Sequence, residues 1–195
     1  MVQTHVNNFL ASLNIPGIHH KTLKKREREA GVGIENVAKR LCVKALTEEQ
    51  KLSSHENQVD ISFDGAWQRR GSGKEYNSLS GHGAAIGEAT GKIMGYAVRS
   101  KGCNICENGD MNTRKHDCRK NWTGSSKAME GDIAVEVVKT INQTSAKTVY
   151  LTIHEDTTTI HKLRTEINQD IEKRPDMNHT KKGLGNMNFQ KLTKY

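Results

Sequence analysis

The chain has 195 residues, 34% hydrophobic and 27% charged. That is enough for one good-sized domain with an appendage, and its composition is polar yet well short of a disordered one. Lysine and arginine outnumber aspartate and glutamate by 30 to 22, giving a net charge of +8 and a pI near 9.3, which points to nucleic acid or another polyanion as partner and says nothing about sequence specificity.

The N-terminal MVQTHVNNFL lacks both a basic leader and a continuous apolar run, and no stretch approaches the roughly 20 apolar residues of a membrane span. A soluble, intracellular protein is expected, with no membrane partner.

Val6, Phe9, Leu10 and Leu13 recur at helical spacing before Asn14-Ile-Pro-Gly17 breaks the pattern with turn chemistry. From Lys21 the chain is strongly basic, KTLKKRERE. After Gly31-Val-Gly33 a second helical pattern places Ile34, Val37, Ala38, Leu41, Ala45 and Leu46 on one face. Residues 1–57 therefore read as a basic α-helical arm. Lys21, Lys24, Lys25, Arg26 and Arg28 are candidate phosphate contacts; a solvated helix face or a nuclear import signal would have the same composition.

The character changes near residue 59, where VDISF alternates as a strand and meets Asp64-Gly65. NSLSGHGAAIG (77 to 87) and KIMGYAVRS (92 to 100) read as two more strands around the turn Glu88-Ala-Thr-Gly91, which makes a three-stranded meander. After a polar segment at 101–123, Ala128, Ile133, Ala134, Val137, Val138 and Ile141 mark an amphipathic helix, with Gly124-Ser-Ser126 as its N-cap and Glu130 in its first turns. TVYLTI follows as a fourth strand, and TTTIHKLRTEINQDIEK reads as a helix up to Pro175, with Ile160, Leu163, Ile167 and Ile171 apolar.

Two constellations carry chemistry. Cys103-Asn-Ile-Cys106 and His116-Asp-Cys118 form two closely spaced pairs across a polar loop. Zinc requires four borderline ligands converging in a tetrahedron, and this spacing provides them, with no position left open for water. Reduced, non-ligating thiols are the alternative; a disulfide is disfavoured without a secretory signal. Cys42 lies on the apolar helical pattern and reads as a small buried side chain.

The second constellation is acidic. Asp64 ends the first strand, and His154, Glu155 and Asp156 end the fourth. Side by side in a sheet, two such carboxylates hold divalent ions that activate water or a 3′-hydroxyl for phosphoryl transfer. An aspartate before glycine is also a common turn residue. Trp67, Arg69 and Arg70 follow Asp64 as candidate DNA contacts, although Trp67 could equally cover the edge of the core.

Several stretches together, ISFDGAWQRRG, NSLSGHGAAIGEATGKIMGYAVRSKGCNIC, HDCRKNWTGSSKAME and DMNHTKKGLG, resemble the Mutator-like transposase domain of eukaryotic transposable elements, and LNIPGIHHKTLKKREREAGVGIENVA is similar to its helical lead-in. The order β-β-β-α-β-α with acids ending the first and fourth strands is that of an incomplete α/β ribonuclease-H-like core over residues 58–195, with the zinc-binding loop inserted at 101–123. The resemblance implies the same core, cut short before the family's last catalytic acid. It also implies Mg²⁺ or Mn²⁺ at the acids, DNA as partner, a second copy of the chain as a further candidate partner, a nuclear location, and DNA transposition by metal-dependent cleavage and strand transfer.

Carried over by position, Asp64 resembles the first catalytic aspartate. The family's aspartate-x-aspartate at the fourth strand falls on His154, Glu155 and Asp156, so His154 replaces the leading acid and Asp156 matches the second. Asp176-Met-Asn-His179 resembles a later element, and no residue takes the role of the final glutamate. Histidine is a poor ligand for hard Mg²⁺. This polypeptide by itself is therefore expected not to cleave DNA; the other reading is a non-catalytic DNA-binding module derived from a transposon.

Overall fold

A computed structural model of the chain describes residues 2–53, 56–69, 77–108, 116, 118–153 and 157–175. Two compact units divide it, Met1–Leu41 and Cys42–Tyr195.

In the first unit, α1 (Val2–Ser12) ends in a left-handed turn: Asn14 has φ 54°, its amide donates to Ala11 O at 3.0 Å, and the Ile15 amide donates to Leu10 O at 2.9 Å. This paired arrangement satisfies helix-end carbonyls that would otherwise lack donors. Asn7 clips the returning segment, accepting from the Ile18 amide at 2.9 Å and donating to the Ile18 carbonyl at 3.3 Å. Helix α2 (His20–Leu52) then starts.

The expected interruption at Gly31-Val-Gly33 does not occur. Both glycines lie within α2, neither has positive φ, and a Cβ at either would meet nothing within 4 Å. Two exposed glycines cost a helix only about 1 kcal/mol each, too little to break a run flanked by Leu, Lys, Arg and Glu. Of the apolar positions expected on one face, Ala45 and Leu46 are buried, whereas Ile34, Val37 and Leu41 are exposed.

The second unit is a mixed α/β structure around a five-stranded sheet in the order β3-β2-β1-β4-β5. The strands are β1 (Gln58–Trp67), β2 (Ser80–Gly87), β3 (Ile93–Ser100), β4 (Lys147–Ile153) and β5 (Glu172–Pro175). The pairs β1–β2 and β2–β3 are antiparallel, and β1–β4 and β4–β5 are parallel, so β2 alone runs against the others. The helices of this unit are the end of α2, the short α3 (Asn104–Asn108), α4 (Ala128–Asn142) and α5 (Thr157–Glu166).

Helix α4 buries Met129, Ile133, Ala134, Val137, Val138 and Ile141 against Val59, Ile61 and Phe63 of β1 and their neighbours. The glycines of β2 make this approach possible. A Cβ at Gly83 would lie 2.7 Å from the Phe63 ring and 2.8 Å from Ile133, and one at Gly81 would lie 2.0 Å from the Trp67 ring. Large side chains of β1 and α4 fill the space that β2 leaves empty.

Two local expectations are corrected and a third is narrowed. β1 does not end at Asp64-Gly65: pairing continues through Asp64↔Ala84 and Gly65↔Gly83 to Trp67↔Gly81, because the glycine face of β2 accepts the indole. The last helix does not run to Pro175: α5 stops at Glu166, Asn168 Oδ1 accepts from the Asp170 amide at 3.0 Å in a side-chain-capped turn, and β5 pairs in parallel with β4 through Tyr150↔Glu172 to Ile153↔Pro175. The order is thus β-β-β-α-β-α-β, with a fifth strand beyond the expected six elements. At α4 the N-cap position is Lys127, which makes no side-chain cap bond; within the expected Gly124–Ser126 stretch, Ser125 Oγ accepts from the Ala128 amide at 3.2 Å and Ser126 is buried.

The base of the β2–β3 turn is closed by Glu49. Only 2% exposed, it accepts from the amides of Ala89 at 2.9 Å and Thr90 at 2.8 Å. A buried carboxylate is tolerable only with such donors. The turn itself has Gly91 at φ +65°, a conformation that disfavours a side chain.

Candidate metal centre and acidic strand

The cysteine segment begins where β3 ends. Cys103 precedes α3 and Cys106 lies within it, so the two thiols stand one turn apart on the same side. The Glu107 carboxylate accepts from the Cys103 amide at 3.2 Å and fixes this first turn. His116 Nε2 lies 3.3 Å from Cys103 Sγ and 3.4 Å from Cys106 Sγ, and Cys106 Sγ lies 3.5 Å from Cys118 Sγ. All four ligand atoms fall within 4.8 Å of one another.

A zinc ion about 2.3 Å from sulfur and about 2.0 Å from nitrogen subtends tetrahedral edges of roughly 3.5–3.8 Å, so a single ion fits among these atoms. The donor set, three sulfurs and an imidazole, is that of a closed structural zinc site rather than of a hard-cation site. Amides of Cys106 and Ile105 pull the Cys103 thiol down to about 6. The neighbouring thiols of Cys118 and Cys103 push Cys106 up to about 11. Three sulfurs this close cannot all ionise without a cation among them.

Past the last ligand, the chain is fastened back onto the sheet. The Asn121 side chain accepts from the Ser100 amide at 2.7 Å and donates to the Val98 carbonyl at 2.9 Å, and the amides of Asn121 and Trp122 both donate to Ser100 O. Trp122 packs against the core and donates from Nε1 to Ser125 O at 3.0 Å. A second link joins the root of the loop to α4 and β1: Lys101 Nζ donates to Ser126 Oγ at 2.9 Å, Ser126 Oγ donates to Ser78 O at 2.8 Å, and Ser78 Oγ accepts from the Arg69 amide at 3.3 Å.

On the acidic side, Asp64 sits on the central strand β1, exposed, with its Oδ1 2.8 Å from the Gly65 amide. Strand alternation puts it on the face shared with Asp60 and Ser62, opposite the face that carries Ile61 and Phe63. β1 and β4 are adjacent and parallel, paired as far as Ser62↔Thr152. His154, Glu155 and Asp156 follow β4 directly in sequence and lie outside the described residues, as do Arg70, Asp176 and His179.

Trp67 is half-buried, its ring over Gly81 and packed on the core, and Arg69 is exposed just beyond the strand. Lys21, Lys24, Lys25, Arg26 and Arg28 are all exposed on α2, and Arg26 pairs with Glu29 at 2.6 Å.

Sequence reasoning passed over one charged group on the Asp64 face. Arg174 of β5 lies 2.9 Å from Asp60 and 3.3 Å from Glu88, with its guanidinium 3.6 Å above the Tyr150 ring. These side chains border a cavity of about 440 Å³. They tie β5 to β1 across β4, and because the partners are distant in sequence no local pattern announces them.

The Mutator-like transposase family model matches residues 1–194. The chain belongs to the Mutator-like transposase family. No curated protein and no solved structure gave a significant match. Transposase ancestry thus rests on the family model, alongside a Cys₃His cluster able to hold a metal ion. No helix among the described residues is long and apolar enough to cross a membrane.

Proposed function

We propose that this Mutator-like transposase chain is the DNA-handling core of a transposition system, built on a ribonuclease-H-like framework, with Asp64 as its first metal-binding carboxylate. The observation that carries the reading is the place of Asp64: exposed, on the central strand, beside a parallel β4 that leads directly into residues 154–156. The strand order 3-2-1-4-5 with only β2 reversed, and the α4 crossover between β3 and β4, support the same framework.

Asp64 and Asp156 would supply hard oxygen donors to Mg²⁺ or Mn²⁺, and His154 a nitrogen better suited to Mn²⁺. A divalent ion held there would activate water or a 3′-hydroxyl. The Cys₃His loop holds structural zinc, a basic helical arm over residues 1–57 contacts phosphate, and the protein acts in the nucleus.

With His154 in place of an acid, cleavage by this polypeptide by itself is not expected. Labelled terminal-inverted-repeat DNA incubated with the protein and Mn²⁺ should stay intact; nicking abolished by Asp64→Asn would overturn that expectation and leave the nuclease framework standing. The net charge of +8 favours a second reading, a non-catalytic DNA-binding module. That reading expects duplex binding that weakens steeply with salt and is unchanged in Asp64→Asn.

A further inference from the structure

Cys118 is followed directly by Arg119 and Lys120, both exposed, and then by Asn121 and Trp122, which bond to Ser100 and Val98 at the end of β3. The basic pair is thus a two-residue span with both ends fixed: one end is a member of the Cys₃His cluster, the other is bonded onto the sheet. A dipeptide held this way loses little further backbone freedom when it meets a ligand. Lys120 makes no ion pair among the described residues.

The Lys101–Ser126–Ser78–Arg69 chain brings the root of the same loop to the end of β1, where Arg69 is exposed just beyond Trp67. Residues 101–127 contain six basic and three acidic side chains, and their balance stays positive after one dication and three thiolates are added. The strands β1, β3, β4 and β5 all point their carboxyl ends toward this side of the sheet.

We propose that the Cys₃His loop is itself a duplex-DNA contact, with Arg119 and Lys120 as phosphate ligands that the metal holds in register at the carboxyl end of the sheet. The inference rests on the reading of the chain as a DNA-handling protein, and it gives the metal loop a role beyond folding. Arginine supplies a planar fork and lysine a point charge, both suited to phosphate oxygens and neither reading sequence. Each phosphate contact adds about 0.9 to the slope of log affinity against log salt.

The test is fluorescence anisotropy of a labelled duplex with the full chain between 50 and 200 mM salt, comparing wild type, Arg119→Ala/Lys120→Ala, Arg119→Lys/Lys120→Arg, and the arm variant Lys24→Ala/Lys25→Ala. Zinc content and unfolding midpoint are matched first. The alanine pair should lower the salt slope by about 2, so that its deficit in affinity is about tenfold larger at 50 mM than at 200 mM salt, and the charge-conserving pair should restore the slope. Wild-type binding with an unchanged slope in the alanine pair overturns the inference while the DNA-handling reading stands, the more clearly if the arm variant alone loses slope. Absence of salt-dependent duplex binding by wild type overturns both.

Discussion

The two faces of the sheet follow different rules. Against α4, every position is settled by volume: β2 gives up side chains at Gly81 and Gly83 so that Trp67, Phe63 and Ile133 can fill the gap, and Val59, Ile61 and Leu151 are fully buried. On the opposite face, charge and hydrogen bonding decide: Asp60, Glu88 and Arg174 pair over Tyr150, Thr152 donates to Glu88, and Asp64 stands exposed. A residue on the dry face is constrained by its neighbours' shape, whereas one on the wet face is free to be kept for chemistry.

Substitutions can break this contrast. The largest effect is expected from Ile133→Ala, which opens a cavity between α4 and the glycine stretch of β2 and should cost about 2–5 kcal/mol in urea unfolding. A value under 1 kcal/mol would mean that the packing collapses freely and that volume does not rule this face.

Next is Arg99 at the rim of the dry face. Its side chain is 11% exposed and donates at 2.6 Å to Asp132 and 2.5 Å to Glu136, while Lys162 joins Asp132 at 3.2 Å. Arg99→Ala leaves the half-buried Asp132 carboxylate without its main donor, while Glu136 is exposed and can turn to water, and should cost about 2 kcal/mol.

The same group provides a pH test. Burial works to raise the Asp132 pKa, but hydrogen bonds from Arg99 and Lys162 outweigh it and hold the carboxyl below its ordinary value. A lowered folded-state pKa contributes stability that is fully present above the unfolded value and is lost as pH falls through the folded one. The stability gap between wild type and Asp132→Asn should therefore be constant near neutrality and shrink below about pH 4; a gap that widens on acidification would reverse the assignment.

Smaller still is Thr148→Val. The hydroxyl is buried and finds no partner among the described residues, so the exchange should be neutral or stabilising by up to about 1 kcal/mol, read as a shift of the unfolding midpoint. The smallest effect belongs to the wet face: Asp64→Asn should change stability by less than about 0.5 kcal/mol. A cost of several kcal/mol would make Asp64 a structural residue and weaken its proposed role.

How much of this was legible in the sequence depended on the range of the interactions. The Cys₃His cluster was readable because all four ligands lie within a short span and their chemistry admits few uses. β3, α4 and β4 were readable from their periodicity. Asp64-Gly65 imitates a turn, and only the glycine face of β2, a partner on another strand, lets β1 run on to Trp67. β5 was hidden for the opposite reason: Glu-Lys-Arg-Pro carries no strand pattern, and Ile160, Leu163, Ile167 and Ile171 keep helical spacing although the helix ends at Glu166. Pairing with β4 makes the strand, and pairing is not written in three charged residues and a proline. The Arg174–Asp60 contact, across 114 positions, escaped for the same reason.

The Asn121 clamp also bears on how copies of the chain meet. β3 is one border of the sheet, and an open border invites a strand from another molecule. Asn121 and Trp122 already occupy the amide and carbonyl of Ser100, and Asn121 the carbonyl of Val98; at the other border β5 is four residues long and ends in Pro175, which has no amide hydrogen to offer. Among the described residues, recruitment of another strand is left with little more than the first half of β3, so any contact between copies of the chain should favour side chains over growth of a continuous sheet.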